Sequence, residues 1–346
     1  MTEKPRLPDE EQELYEHHRF VVAQGQGLIR IDKYLFSRIE NVSRNKIQNA
    51  ARAGSILVND KPVMPNHRLH PLDVVTVVLP HPPRDIQIIP EEISIDIVYE
   101  DEDVVLVNKK PGMVVHPAYG NYTGTLVNAL AFHFNRCDLQ AEEPRMPYLV
   151  HRIDKDTSGL LVVTKNELAQ TRLAREFYYH RVGRRYIGIV WGDFREDSGT
   201  IEGHVGRSLR DRKLTVVFPD GSHGKHAITH YRVLQRFGYI TVCEFTLETG
   251  RTHQIRAHMK YIGHPLFSDE EYGGRAILKG TTFARFRQFV NNCFEICPRQ
   301  ALHAKSLEFK HPATGNILQF DSSLPEDMQR VIDKWESYTS GRRQEA

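Results

Sequence analysis

Between Pro147 and Lys165 two apolar runs, Tyr148 to Val150 and Leu160 to Val163, enclose a polar segment running from His151 to Ser158 and closed by Gly159. Apolar runs of three or four residues bounded by turn-forming residues read as buried strands rather than helices. A chain patterned this way must build a sheet, and the polar segment must be a loop at the end of a strand. That loop carries Asp154, flanked by His151, Arg152 and Lys155. Neighbouring positive charge favours the ionised form of a carboxylate, and a fixed, ionised Asp at a strand end can act as nucleophile or base. For any loop Asp taken alone, a turn contact or a surface ion pair is the competing explanation.

Length and charge narrow the class. A chain of 346 residues holds two units on ordinary domain sizes. No apolar run reaches the roughly 18 residues that a bilayer span needs, and the acidic start lacks the apolar region of a secretory signal, so a cytoplasmic protein without a membrane partner is expected. Cys137, Cys243, Cys293 and Cys297 show no paired spacing and read as free thiols. A formal net charge of +2 points to no partner by itself, but the charge is unevenly distributed.

Residues 1–26 carry six acids against three bases and read as an acidic extension, with a short strand at Phe20 to Val22. Residues 27–80 reverse this, with eight bases against four acids. Ile31, Leu35 and Ile39 mark one helix face. Ser43 caps a second helix carrying Ile47 with Ala50 or Ala51, and Gly54 ends it. Ile56 to Val58, Val63 and Val74 to Leu79 follow as short strands, with Asn59-Asp60 as a turn. Arg44, Lys46 and Arg52 around the second helix would make a phosphate-facing surface. The runs Arg30-Ile31-Asp32-Lys33-Tyr34-Leu35, Ser43-Arg44, Gly54 to Asn59 and Leu72 to Val75 resemble the S-four-type RNA-binding domain, a small α/β fold.

A proline-rich linker at 81–92 leads into a larger domain expected over 93–335, with a tail at 336–346. Val104 to Val107 is a buried strand, followed by a Pro111-Gly112 turn in which Lys109 or Lys110 can reach a phosphate or a carbonyl. Thr125 caps a helix over Leu126 to Phe134, and Asn166 caps another running to about His180. Its exposed Arg172 and Arg175, joined by Arg181, Arg184 and Arg185, form a stripe suited to a nucleic-acid backbone. The strand Tyr186 to Trp191 puts Tyr186, Gly188 and Val190 on one side, with Gly188 leaving space beside the tyrosine. Thr252 caps a helix ending at Gly263, from which Arg256 can clamp a carboxylate with its planar fork. His253 and His258 read as capping and packing residues, and no spacing suggests a metal centre.

Four motifs, His151-Arg152-Ile153-Asp154 with Thr157-Ser158-Gly159, Arg185-Tyr186-Ile187 ending at Trp191-Gly192, Gly250 to Arg256, and Ala301-Leu302-His303-Ala304, resemble the RluA/RluD family of pseudouridine synthases in the family's order. The resemblance spans about 28–325 and leaves much of 268–298 without a signature. It implies an α+β fold, with a mixed, mainly antiparallel central sheet flanked by helices, beside the small RNA-binding domain. It also implies isomerisation of uridine in RNA without cofactor or metal. By position Asp154 is then the nucleophile, Tyr186 contacts the uracil and assists proton removal from carbon 5, and Arg256 pairs with Asp154. Arg152 fills the gap left by the flipped base, Ile255 packs near the uracil, Lys110 is a structural lysine, and His151, Arg184 and Arg185 lie along the RNA. The expected partner is structured RNA, foremost large-subunit ribosomal RNA or an assembly intermediate, met by a monomer; transfer RNA is the runner-up. A non-catalytic ribosome-associated factor would have little reason to keep Asp154, Tyr186 and Arg256 together, and a glycosidase would need Asp156 as its second acid.

Overall fold

The computed structural model describes residues 15–39, 42–79, 88–117, 121–137, 145–208, 211, 214–281 and 283–345. It divides into two compact units, residues 1–87 and 88–346. The first fourteen residues and most of the expected linker fall outside the described residues.

In the small unit the strands Tyr15–Val21, Val74–Leu79, Ile56–Val58 and Lys61–Pro62 form one antiparallel sheet in that order. Two helices, Ile31–Phe36 and Arg44–Arg52, and a two-stranded antiparallel pairing of Ile29–Arg30 with Arg68–Leu69 complete the described part of the unit. Ser43 caps the second, its hydroxyl accepting from the Lys46 amide at 3.3 Å. Asn59 and Asp60 both take positive φ, the backbone that a tight two-residue hairpin requires. One expectation is corrected here. The unit does not begin at residue 27, because Tyr15–Val21 pairs along the whole of Val74–Leu79 and Val22 is fully buried with Ile31, Leu35, Ile47 and Val75. Alternation over so few residues beside an acidic run gave too weak a signal to extend the strand.

In the large unit, eleven strands among the described residues join one sheet. Its path runs Thr215–Phe218, Ser198–Arg207, Lys225–Arg236, Ile240–Leu247, Gly183–Trp191, Leu302–Lys310, Ser158–Thr164, Val104–Lys109, Ile97–Glu100. Tyr148–Leu149 and Ile317–Asp321 pair alongside. All pairings are antiparallel except one: Ser158–Thr164 runs parallel to Leu302–Lys310 at Ser158–His303 and Gly159–Ala304. Gly159 is obligatory there. Its φ is +113°, and a Cβ would lie 2.3 Å from the Ala304 carbonyl oxygen. The mixed, mainly antiparallel α+β architecture expected from the sequence is the one observed.

Helices pack on this sheet through caps the sequence announces. Asn166 accepts from the Ala169 amide at 2.8 Å to start Glu167–Tyr178, and Thr125 receives the Asn128 amide at the head of Leu126–Cys137. The C-terminal helix Glu326–Glu345 continues through the boundary expected at 335/336. Trp335 is fully buried and Tyr338 packs beside it, so no separate tail begins there. Cys243, Cys293 and Cys297 are buried free thiols; the side chain of Cys137 lies outside the described atoms. No helix among the described residues is long and apolar enough to cross a membrane.

Candidate active site

The loop after Leu149 is built by buried cations that the sequence does not advertise. Lys109, at the end of Val104–Lys109, donates from Nζ to the carbonyls of Lys110, Met113 and Lys155 at 3.0, 2.9 and 2.8 Å. Three donors meet three acceptors, which satisfies the ammonium, while burial pushes its pKa down to about 7. Arg299 donates to the Asp156 carbonyl at 2.9 Å and to the Ser158 hydroxyl at 3.3 Å, and is itself clamped by Asp327. With the Thr157 amide bonded to the Asp154 carbonyl at 3.1 Å, the segment 154–158 is held at both edges. Asp154 is thereby presented at the strand end with its side chain 21% exposed.

Across from it, the segment Gly250-Arg251-Thr252-His253 is folded by one side chain. Gln254 accepts from the Arg251 amide and the Thr249 hydroxyl, and donates to the Ile228 carbonyl and the Thr229 hydroxyl. This replaces the expected Thr252 cap: the N-cap position of helix Gln254–Tyr261 is His253, in the left-handed region at φ 54°, without a side-chain cap bond. That backbone is uncommon for a residue bearing a side chain. Here it brings His253 Nε2 to 3.8 Å from Asp154, with Nδ1 3.0 Å from the Tyr272 hydroxyl. Burial lowers the His253 pKa, with Asp154 opposing. The histidine expected only to cap therefore faces the carboxylate, whereas His258 is the packing residue expected, bonded to Thr229.

Arg256 is buried one turn on. Its Nε and Nη2 grip Asp269 at 2.7 and 2.8 Å, Nη2 also reaches Glu271 at 2.6 Å, and Nη1 lies 3.6 Å from Asp154. Burial opposes its charge, but Asp269 and the other acids outweigh burial and raise its pKa, so it stays a cation. The expected fork on Asp154 is corrected: the fork belongs to Asp269, and Asp154 meets the remaining nitrogen. Tyr272, which burial pushes up to about 12, lies 4.6 Å below the guanidinium. Asp269 and Tyr272 come from the stretch without a sequence signature.

A cavity of about 640 Å³ opens between these elements, a size that suits a small ligand or one extruded nucleotide. Asp154, Tyr186 and Arg256 all line it, together with Ile255, His151 and Arg152. Asp154 is the one carboxylate among the described lining residues, against Arg152, Arg184, Arg251 and Arg256. Asp156 does not line it, which removes the second acid a glycosidase would need. Burial raises the pKa of Tyr186, keeping it a phenol, and lowers that of Arg184. His151 is a framework residue: its Nε2 accepts from the Val162 amide at 3.1 Å, its ring stacks on Phe177, and burial pushes its pKa to about 3.

Several expected RNA contacts fall elsewhere. Lys110 is exposed, and the structural lysine is its neighbour Lys109, 2% exposed. Arg185 points to the opposite sheet face, bonded to Ser306 with Glu244 nearby, because alternation gives the cavity Arg184 and Tyr186 instead. The arginine stripe is likewise divided, since Arg172 bonds the Pro312 carbonyl and Arg181 pairs with Glu176. The space beside Gly188 is filled by Phe245 and Leu266. In the small unit Arg44 is bound to Asp32, while Lys46 is exposed. Asp101, Asp103 and His311 bring three ligand atoms within 4.8 Å. Asp101 is already occupied by the Tyr99 hydroxyl, His311 and two amides, so the group reads as a structural knot.

The profile of a family described as RNA pseudouridylate synthase matches residues 103–261, and that of the S4 domain matches residues 29–75. An RNA pseudouridine synthase of Chlorobaculum parvum is 45% identical over 315 residues, 90% of this chain and 96% of its own length. The ribosomal large subunit pseudouridine synthase D of Zymomonas mobilis is 41% identical, covering 88% and 92%. Among solved structures, human RNA pseudouridylate synthase domain containing 4 has the same fold with a TM-score of 0.56 at 20% identity, covering 70% of this chain and 93% of that one. Identity at this level over nine-tenths of the sequence, carried by an S4 domain joined to this catalytic sheet, shows that the chain belongs to the RNA pseudouridine synthases, isomerases of the RluA/RluD family.

Proposed function

We propose that this enzyme isomerises uridine in large-subunit ribosomal RNA, with Asp154 as the nucleophile. The observation that carries the reading is that, among the described lining residues, one carboxylate is set among four arginines in one cavity, beside a buried tyrosine. In the reaction the N1–C1′ bond breaks, the uracil turns, C5 bonds to C1′, and the C5 proton is lost while N1 gains one. Product and substrate have the same formula, so no co-reactant enters. A stacked base is out of reach, so the uridine must leave its helix. Asp154 then meets the ribose carbon, Tyr186 supports the ring with its apolar face and polar tip, and Ile255 closes the pocket against water. Arg152, exposed at the cavity wall, is suited to fill the vacated stack. The ribosomal target is supported by the Zymomonas mobilis relative, named for the ribosomal large subunit, and by the S4 domain.

The reading is tested by mapping pseudouridines in ribosomal and transfer RNA from cells with and without the gene, and repeating the reaction with purified enzyme on unmodified transcripts. Loss of defined pseudouridines from large-subunit RNA, restored by the enzyme, is the expected result. Losses confined to transfer RNA would reassign the substrate.

A further inference from the structure

The strand that carries Tyr186 brings a second charged group into the cavity. Arg184 stands two residues earlier, on the same face at about 7 Å along the strand, and also lines the cavity. It is 8% exposed, and its Nε is buried without a hydrogen-bond partner. No carboxylate pairs with it among the described residues. Its guanidinium rests on Phe177, 5.7 Å from the ring centre. Arg251, a like charge, opposes the Arg184 cation, and its own Nε is engaged by the His226 carbonyl at 3.0 Å. Gly250 provides the room, since a Cβ there would lie 2.6 Å from Arg184 Nη1.

The other two buried arginines among the described residues of this unit are paired with carboxylates, Arg256 with Asp269 and Glu271, Arg299 with Asp327 and backbone carbonyls besides. A buried cation with unspent donors is costly to the free protein, and its natural complement is an anion. We propose that Arg184, with Arg251 beside it, is the socket for a phosphodiester group adjoining the flipped uridine. The planar guanidinium offers parallel N–H donors to the two non-bridging oxygens. A base held at Tyr186 stands about 7 Å along the strand from Arg184, room for a ribose and its phosphate. This inference rests on the uridine-pocket reading and adds a binding determinant to it.

The test compares wild type with Arg184→Met and Arg184→Lys on an unmodified large-subunit ribosomal RNA transcript. For Arg184→Met, KM should rise at least tenfold with kcat held within about threefold, and the slope of log kcat/KM against log salt should fall by about 0.7 to 0.9, one phosphate contact. Its Tm without RNA should be unchanged or higher, because an apolar side chain of similar length replaces an unpaired buried charge. Arg184→Lys should restore the salt slope but only part of KM, having charge without a fork. A lowered Tm with unchanged KM would make Arg184 structural and overturn the socket, as would a loss of kcat alone. If Arg184→Met matches wild type while Asp154→Asn is inactive, only the socket falls. Turnover by Asp154→Asn removes the underlying reading instead.

Discussion

Each unit contains a buried ion cluster, and the two are built in opposite proportions. In the small unit a single carboxylate, fully buried Asp32, receives Arg30 at 3.1 Å, Arg44 at 2.8 and 3.0 Å, and Gln48 at 2.8 Å. Burial opposes its ionisation, but the bonds from Gln48, Arg30 and Arg44 outweigh burial and hold the carboxyl at about 2. In the large unit a single arginine, Arg256, faces Asp269, Glu271 and Asp154. The first cluster is closed, and it ties the two helices together. The second is closed on one side only, because Nη1 stands 3.6 Å from Asp154, outside hydrogen-bond range. A closed cluster contributes stability and spends its charges; an open one keeps a carboxylate available for chemistry while fixing where it sits.

That contrast breaks most visibly at Asp269. Replacing it with alanine leaves Arg256 buried with half its fork empty, so Asp269→Ala should lose about 3–5 kcal/mol of stability and at least a hundredfold in turnover, read by denaturant unfolding and single-turnover assay. A variant with wild-type stability and rate would mean that Asp269 anchors nothing. Asp32→Ala should destabilise the small unit by about 2 kcal/mol, seen in the full-length protein as faster hydrogen exchange confined to residues 15–79. Turnover should suffer through KM, and a fall in kcat would show that the two clusters are not separable in function.

Titration sharpens the same comparison. The bonds from Gln48, Arg30 and Arg44 hold the Asp32 carboxyl at about 2 against an ordinary value near 4, so its contribution is fully present above pH 4 and is lost as pH falls toward 2. The small unit should lose about 2 kcal/mol over that interval, and Asp32→Asn should abolish that dependence. Smallest of all is Glu271→Gln. Glu271 is 51% exposed, and such an ion pair is worth under about 1 kcal/mol, so stability and turnover should stay within a few-fold of wild type. A large loss would place Glu271 inside the cluster's essential geometry.

Local chemistry made much of this legible. The strand pair around Asp154 and the caps at Ser43, Thr125 and Asn166 follow from periodicity and capping, and the gathering of Asp154, Tyr186 and Arg256 in one cavity is what the family resemblance implied. What stayed hidden depends on partners far along the chain. Asp269 and Tyr272 sit in a stretch without periodicity and acquire meaning only when folded beneath Arg256. Arg299 meets the Asp154 loop across more than 140 residues. Other signals were present and available: strand alternation puts Lys109, not Lys110, in register with Val105 and Val107, and separates Arg185 from Arg184 and Tyr186. Thr252 satisfied a capping rule, yet the buried Gln254 amide took over the backbone bonds and moved the cap to His253.

Pseudouridine formation by purified Asp154→Asn, measured beside its affinity for the same large-subunit RNA, tests the central claim most directly. Removing the charge without changing the shape should eliminate product while the dissociation constant stays within about threefold of wild type. Product formed at a rate near wild type would show that the carboxylate at the centre of this cavity does not carry the reaction.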